Sequence, residues 1–498
     1  MKYLLGYDIG SSSVKATLLE AETGKTVASA TSPSSEMLMS APQAGFAEQD
    51  PEMWWQELKN ATHKLKSALK FDVKEIGAIG ISYQMHGLVV VDKNQKVLRP
   101  SIIWCDSRAV EMGEKAFKTL GKKYCLAHYL NAPGNFTASK LRWVLENEPK
   151  IAEQIDKIML PGDYIAMRMS GDARTTVSGL SEGILWDFKK EKIASKLIKN
   201  YGFRGGVLSD IVPTFGMQGE MTKHAAEELG LAASTPISYR AGDQPNNAFS
   251  LNVLNVGEVA ATAGTSGVVY GVTDKADFDP KSRVNTFVHV NNTVEKPRNG
   301  VLLCINGTGI LNSWLRRMTG GLDYDKMNAE AANLPPLGGQ RGAGVIFLPF
   351  GNGAERVLEN KQLGAQLLGV DFNRHSQAHL FRAAQEGIVF ALNYGVEVMK
   401  TVGVEAKTVR AGHANMFLSP VFREAFANTT GAVVELYNTD GSQGAARGAG
   451  VGVGFYKNFK EAFIGLNKIE TIEPKKALQA AYTEGYQKWL DALKKATN

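Results

Sequence analysis

The sequence is poor in cysteine, has no long apolar run and carries no large excess of either charge, and each shortage excludes something. Three cysteines, Cys105, Cys125 and Cys304, lie far apart without a CxxC pair. Neither a disulfide framework nor a zinc site is therefore expected, and the thiols read as buried and inert. The smoothest late stretch, Val259 to Val272, is broken by Gly264, Gly267 and Gly271 and falls short of the about 18 apolar residues of a membrane span. The opening MKYLLGYDIG meets a charge at Asp8 before a signal-peptide core can form, so a cytoplasmic location without membrane partners is expected. The 56 basic and 50 acidic residues leave a net charge of +6 with no long basic run, which argues against a nucleic-acid partner. A Walker phosphate loop is also missing. Gly24-Lys25-Thr26 has the right ending, but Leu19 stands where the first glycine belongs, and the segment lies between two strands.

What remains is an α/β chain. At roughly 100–200 residues per domain, its 498 residues suggest two large domains or more, which can bury cores without cross-links. Tyr3–Ile9, Val14–Glu20 and Thr26–Ser32 read as an antiparallel meander, with turns at Gly10-Ser11-Ser12 and Thr23-Gly24-Lys25. A helix follows, capped by Asp50 and started by Pro51, with Trp54, Leu58, Ala61, Leu65 and Ala68 at helical spacing. Ile76–Ser82 and Leu88–Val91 read as strands around the turn Gln84-Met85-His86-Gly87. Ala241-Gly242-Asp243-Gln244-Pro245 is expected to break both helix and strand. Beyond it, Val259–Ala263, Gly264-Thr265-Ser266-Gly267 and Val268–Val272 repeat the opening strand, Gly-hydroxyl turn and strand. That echo suggests an internal duplication, with domains at 1–245 and 246–498. The chain closes with an amphipathic helix whose face is Leu478, Tyr482, Trp489 and Leu493.

Several loops have the residue types for phosphate and polyol chemistry, each with a plainer alternative. Asp8-Ile9-Gly10-Ser11-Ser12-Ser13 offers backbone N–H groups and hydroxyls to an anion, with a carboxylate alongside for magnesium; the alternative is a hairpin tip. Gly264-Thr265-Ser266-Gly267 offers the same. Gly242-Asp243-Gln244 is either an Asx turn or a base that takes a hydroxyl proton during phosphoryl transfer. His86 is either a structural histidine or a polyol ligand at a strand end. Trp104-Cys105-Asp106-Ser107-Arg108 is a solvated ion pair, a turn or a polar wall of a sugar site. Ala411-Gly412-His413-Ala414-Asn415 can admit a flat ring against its backbone. Gly444 to Gly450 reads as close helix packing whatever the function.

Taken in order, Asp-Ile-Gly-Ser-Ser-Ser-Val-Lys at 8–15, Gln-Met-His-Gly at 84–87, Trp-x-Asp-x-Arg at 104–108, Gly-Asp-Gln at 242–244 and Gly-Thr-Ser-Gly at 264–267 resemble the FGGY carbohydrate kinases over essentially the whole chain. Asn135 to Glu146, with Lys140, Trp143 and Glu146, looks like one signature of the family, and Ala365 to Glu386 looks like the other. The resemblance implies two actin-like (ribonuclease H-like) domains around a central cleft, ATP and magnesium as cofactors, and a small sugar as acceptor. A homodimer is compatible with it. By that likeness Asp243 is the catalytic base, and Asp8 and Asp243 serve the metal. Gly10, Ser11, Ser12, Ser13, Lys15, Gly264, Thr265, Ser266, Gly412 and Asn415 bind ATP. Gln84, Met85, His86, Trp104, Asp106, Arg108, Asp243 and Gln244 line the sugar site. The Gln-Met-His-Gly form is that of the xylulokinase-like branch, which implies phosphorylation of D-xylulose at O5. Gln244 departs from the Asn frequent in that branch, and His413 follows a single Gly412 where a glycine run is usual. Kinases for ribulose, gluconate, glycerol or rhamnulose, and a non-catalytic actin-like sensor, are the alternatives.

Overall fold

The computed structural model describes residues 1–338 and 344–498. These fall into two compact units, neither continuous in sequence. Unit 1 comprises Met1–Asn252, Phe287–Asn299 and Thr439–Leu466, and unit 2 comprises Val253–Thr286, Gly300–Asn438 and Asn467–Asn498. The late segment 439–466 thus belongs with the N-terminal unit, although the 245/246 boundary read from the sequence groups it with the second half.

Unit 1 begins with the expected meander, β1 (Tyr3–Ile9), β2 (Val14–Glu20) and β3 (Thr26–Ser32), paired antiparallel. Helix α1 (Pro51–Ala68) follows; the Asp50 side chain accepts from Glu52 N, and Trp54, Leu58, Ala61 and Leu65 are buried. Strand β4 (Ile76–Tyr83) then pairs parallel with β1. Helices α2 (Thr137–Asn147) and α3 (Val177–Glu182) precede β5 (Phe215–Glu220), β6 (Pro236–Gly242) and α4 (Asp243–Ser250). The sheet order is β5-β6-β4-β1-β2-β3.

The segment 241–245 does not break the chain as the sequence suggested. Strand β6 runs to Gly242 and α4 starts at Asp243. Proline is tolerated at 245 because first-turn N–H groups have no partner inside the helix.

In unit 2, β7 (Val259–Ala263) pairs antiparallel with β8 (Gly267–Thr273). It is followed by β9 (Asn299–Ile305), α5 (Gly309–Met318) and the long α6 (Gln377–Thr401). Strand β10 (Thr408–Gly412) pairs parallel with β7 and with β11 (Val433–Tyr437). The chain then enters unit 1 as α7 (Gly441–Gly452) before completing unit 2 with β12 (Lys468–Ile472) and α8 (Lys476–Thr497). Six strands of this seven-stranded sheet, in the order β9-β8-β7-β10-β11-β12, repeat the order of unit 1. In each sheet one strand pairs antiparallel with its successor and parallel with a later strand, which pairs parallel with a third, and an antiparallel strand flanks that. The short echo seen in the sequence is therefore a repeat of topology. Tyr482, Trp489 and Leu493 of α8 are buried as their spacing implies, with Leu478 packed at the edge of the same core.

Helix α7 lies against β1 and β4 at backbone distance. A Cβ on Gly80 would stand 1.9 Å from the Ala445 carbonyl oxygen, and one on Gly6 would stand 1.9 Å from that of Ser442. Small residues on both partners permit this approach, and it sets the helix start beside the end of β1. The cysteines follow the sequence reading only in part. Cys125 is buried, with its thiol pushed up to about 12 by burial, whereas Cys105 is exposed and Cys304 half-buried.

Candidate active site

In unit 1 the motif residues collect at the carboxyl ends of three adjacent parallel strands, where α/β sheets carry their ligand groups. Register explains the meeting: Asp8 on β1 pairs with Ser82 on β4, and Ser82 pairs with Ala241 on β6. Ser82 Oγ donates to Asp8 Oδ1 at 2.8 Å. Burial raises Asp8, and the neighbouring Asp440 carboxylate adds to the rise. Asp243 opens α4, where burial first and the Asp8 charge second push its carboxyl up to about 7. The Gln244 side chain hydrogen-bonds the Asp243 carboxylate, while Gln244 Oε1 is buried without a protein partner.

The raised carboxyl has a consequence for stability. A carboxyl whose folded value lies above its unfolded one favours the fold fully only below the unfolded value, near 3.8, and loses that contribution as pH rises through about 7. Asp243→Asn removes the penalty. The variant is expected to melt above the parent at pH 8. The gap should narrow by about 1.4 kcal/mol per pH unit between about pH 7 and pH 4 and close at the bottom of that window. Melting curves at pH 4.5, 6 and 8 test this, and a gap independent of pH would refute the assignment.

The 84–87 turn lies beside Asp243. A Cβ on Gly242 would stand 2.5 Å from Glu182 Oε2 and 2.6 Å from Met85 Cγ, so glycine there lets both groups approach the strand end. His86 has a left-handed backbone, φ 61°. Its Nδ1 lies 3.0 Å from the Glu182 carbonyl oxygen. A carbonyl oxygen only accepts, so Nδ1 carries a proton in this contact. The ring packs between Phe136 and Phe287 at 4.9 and 5.4 Å. Glu182 is buried, and burial first, then the charges of Asp243 and Asp163, raise it well above the usual carboxylate range.

The turn 10–13 is tied to the same place. Gln49 Nε2 donates to the Ser11 carbonyl at 2.7 Å, and Gln49 Oε1 accepts from Gln84 Nε2 at 3.2 Å. Trp104, 37 % exposed, points its Nε1 at Ser11 Oγ at 3.4 Å. Lys15 pairs with Asp440 at 2.6 Å; burial opposes ionisation of Asp440, but Lys15 outweighs it and holds the carboxyl low.

Asp106 and Arg108 face the protein instead. Asp106, 1 % exposed, accepts from Ala47 N, Arg108 N, Arg108 Nε and Arg108 Nη2. Arg108 also pairs with Glu48 at 2.6 Å and stacks on Phe46 at 3.7 Å. The ion pair weighed in the sequence reading is present, buried rather than solvated.

In unit 2 the remaining motif residues meet at the ends of β7 and β10. Gly309 N donates to the Gly264 carbonyl at 2.8 Å and Ile310 N to that of Thr265 at 3.2 Å, which fixes the 264–266 turn against the start of α5. A Cβ on Gly264 would lie 3.6 Å from Asn415 Nδ2. Asn415 has φ 55°, and Ala414 N donates to the Gly412 carbonyl at 2.8 Å.

Sequence reasoning missed Gln49, Ser82, Glu182 and Asp440. Asp440 had a signal, a cap residue before the glycine-rich helix, and its side chain does accept from Gln443 N at 3.0 Å. The others carry no local pattern. Among the described residues, no group of three or more His, Cys, Asp or Glu is placed to hold a metal, and no helix is long and apolar enough to cross a membrane.

Residues 3–250 match the N-terminal domain model of the FGGY family of carbohydrate kinases, and residues 259–452 match its C-terminal domain model. The xylulose kinase of Bacillus subtilis (strain 168) is 28 % identical over 470 residues, 93 % of this chain and 90 % of that protein. A xyloylose kinase from Brucella ovis, known as a crystal structure, superposes with a TM-score of 0.87 at 26 % identity over 99 % of both chains. The gluconate kinase of Lactobacillus acidophilus superposes with the same TM-score of 0.87 at 20 % identity, covering 99 % of this chain and 98 % of that one. The fold is the two-domain actin-like α/β fold of these kinases, and it is shared by enzymes named for different sugars. With both domain models matched in order, the chain belongs to the FGGY family of carbohydrate kinases.

Proposed function

We propose that this phosphotransferase moves the γ-phosphoryl group of ATP to the O5 hydroxyl of D-xylulose, with Asp243 as the base. The observation that carries the reading is the placement of Asp243 at the end of β6, with its carboxyl raised to about 7 beside Asp8. A base poised near the working pH is unprotonated often enough to accept a proton and basic enough to hold it. Phosphoryl transfer asks little more of a protein than position and charge neutralisation. The acceptor chemistry also suits a polyol. Gln84 Oε1 and Gln244 Oε1 are buried acceptors without protein donors, and a ketose supplies hydroxyl donors. Met85, His86, Trp104, Gln84 and Gln244 are assigned to the sugar. Asp106 and Arg108 are assigned to bracing the wall behind them.

Asp8 and Asp243 suit a magnesium ion that arrives with the nucleotide. Burial raises both carboxyls and the Asp8 charge raises Asp243 further, which a cation would relieve, and magnesium needs only one or two carboxylates when phosphates complete its shell. When bound, the ion neutralises charge on the transferring group. Gly10, Ser11, Ser12, Ser13 and Lys15 in unit 1 are assigned to the phosphates, as are Gly264, Thr265 and Ser266 in unit 2. Gly412 and Asn415 are assigned to the adenosine.

Purified protein with ATP, magnesium and a panel of D-xylulose, ribulose, gluconate, glycerol and rhamnulose, read out as ADP release, is the test. D-xylulose is expected to give the highest kcat/KM. The same family fold in a gluconate kinase makes gluconate the informative competitor, and its outranking xylulose would overturn the sugar assignment while leaving the kinase chemistry standing.

A further inference from the structure

The start of α2 does more than continue a helix. Four of its neighbouring side chains reach the two loops assigned to the sugar. Asn135 Nδ2 donates to the Asp106 carbonyl. Phe136 sets its ring edge-on to His86 at 4.9 Å. Thr137 Oγ1 donates to the Gly87 carbonyl at 3.4 Å. Lys140, three residues on and so on the same helix face, is fully buried. Its Nζ donates to the His86 carbonyl at 2.8 Å and to the Ile103 carbonyl at 2.9 Å.

An ammonium placed there is unusual. Burial works against its charge and pushes it down to about 8, and lysine is almost never fully buried unless paired. Its two carbonyl partners belong to different loops. One is the carbonyl of His86, whose left-handed backbone is unfavourable for a residue with a side chain and persists only where the surroundings hold it. The other immediately precedes Trp104. With the ammonium gone, the His86 carbonyl loses this donor, while the Ile103 carbonyl keeps the Asp106 N–H at 3.2 Å. His86 can then relax, turning both its ring and the Met85 side chain before it.

We propose that Lys140 is a positioning residue for the acceptor: its ammonium ties the 84–87 loop to the 103–108 loop and so sets the geometry in which the sugar is bound. The inference rests on the reading of those loops as the sugar site. It adds to that reading a residue that touches neither sugar nor nucleotide.

The test compares Lys140→Met, which keeps the length and removes the donors, with the parent protein on the best sugar of the panel. The sugar KM is expected to rise about tenfold to a hundredfold, the scale of a misplacement of about 1 Å. Nucleotide affinity, titrated calorimetrically without sugar, should stay within about twofold. In Lys140→Ala, added propylammonium should lower the sugar KM in a dose-dependent way, because it returns donors to the vacated space; it should not act on the parent. A purely structural lysine would shift sugar KM, nucleotide affinity and melting together and would not respond to the amine. If Lys140→Met fails to fold, Lys140→Arg is measured instead, since a planar fork cannot place its donors where an ammonium does. A raised sugar KM with unchanged nucleotide affinity supports the proposal there too. A folded variant with parental sugar KM, or one whose sugar and nucleotide affinities fall together, overturns it. No sugar-stimulated turnover in the parent would sink both this inference and the functional reading, whereas normal parental turnover with a parental KM in the variant sinks this inference alone.

Discussion

Asparagine at position 243 is expected to lower turnover by about 10²–10⁴-fold with every sugar, the range for loss of a positioned general base. The substitution keeps the shape of the side chain, so the helix start at 243 should survive. The expected gain in melting temperature at pH 8 shows that the loss of rate is not a loss of fold. The parent should show the complementary behaviour. Its kcat/KM for sugar should fall as the pH drops below about 7, following the protonation of one carboxyl. Sugar binding should weaken far less than turnover, because an asparagine oxygen still accepts a hydroxyl hydrogen bond but is no base. Near-parental turnover in Asp243→Asn would remove the base from the mechanism and leave Asp243 with a purely structural place.

The second large effect is on the fold. Gly80→Ala places a methyl group 1.9 Å from the Ala445 carbonyl oxygen, and neither backbone can yield without moving α7 off the sheet. A loss of about 3 kcal/mol or more is expected, at the upper end for overpacking because the clash is with main chain rather than with a side chain that can turn away. Urea unfolding measures it. Gly205→Ala is the control: nothing lies within 4 Å of a Cβ there, and the change should stay within about 0.5 kcal/mol. Where Gly80→Ala folds at all, activity should suffer too, since α7 carries Ser442, bonded to Thr17 at 2.7 Å, and follows Asp440, paired with Lys15. Equal stability of the two variants would show that α7 is not held at backbone distance.

The parts of the molecule legible in the sequence are those governed by local physics. The meander is set by alternation, α1 by its cap, proline and apolar spacing, and the two glycine-hydroxyl turns by residue type. These rules act over a few residues, and the structure reproduces Tyr3–Ile9, Val14–Glu20, Thr26–Ser32 and Val259–Ala263 with the bounds read from the sequence. The segment 241–245 was misread because residues that weaken a helix interior are acceptable in its first turn. Residue type alone leaves Asp106 and Arg108 open between an ion pair and the wall of a site, and the side chains pair. Which way a loop side chain turns depends on partners such as Ala47 and Glu48, about sixty positions away in the chain.

By itself, then, the amino-acid sequence determined the α/β class, the doubled strand-turn-strand pattern, the motif order that marks the family and the residue types available for phosphate and polyol chemistry. The tertiary structure alone decided which of these meet. Parallel register brings Asp8 and Ser82 together across 74 residues, and the return of α7 to unit 1 brings Lys15 and Asp440 together across 425. It also decided the buried charges. The sequence marks Lys140 only as part of a signature and Glu182 not at all, and their removal from water next to named carbonyls and carboxylates appears only in the tertiary structure. Register, burial and charge coupling are properties of pairs distant in sequence, so no local pattern of one segment can encode them.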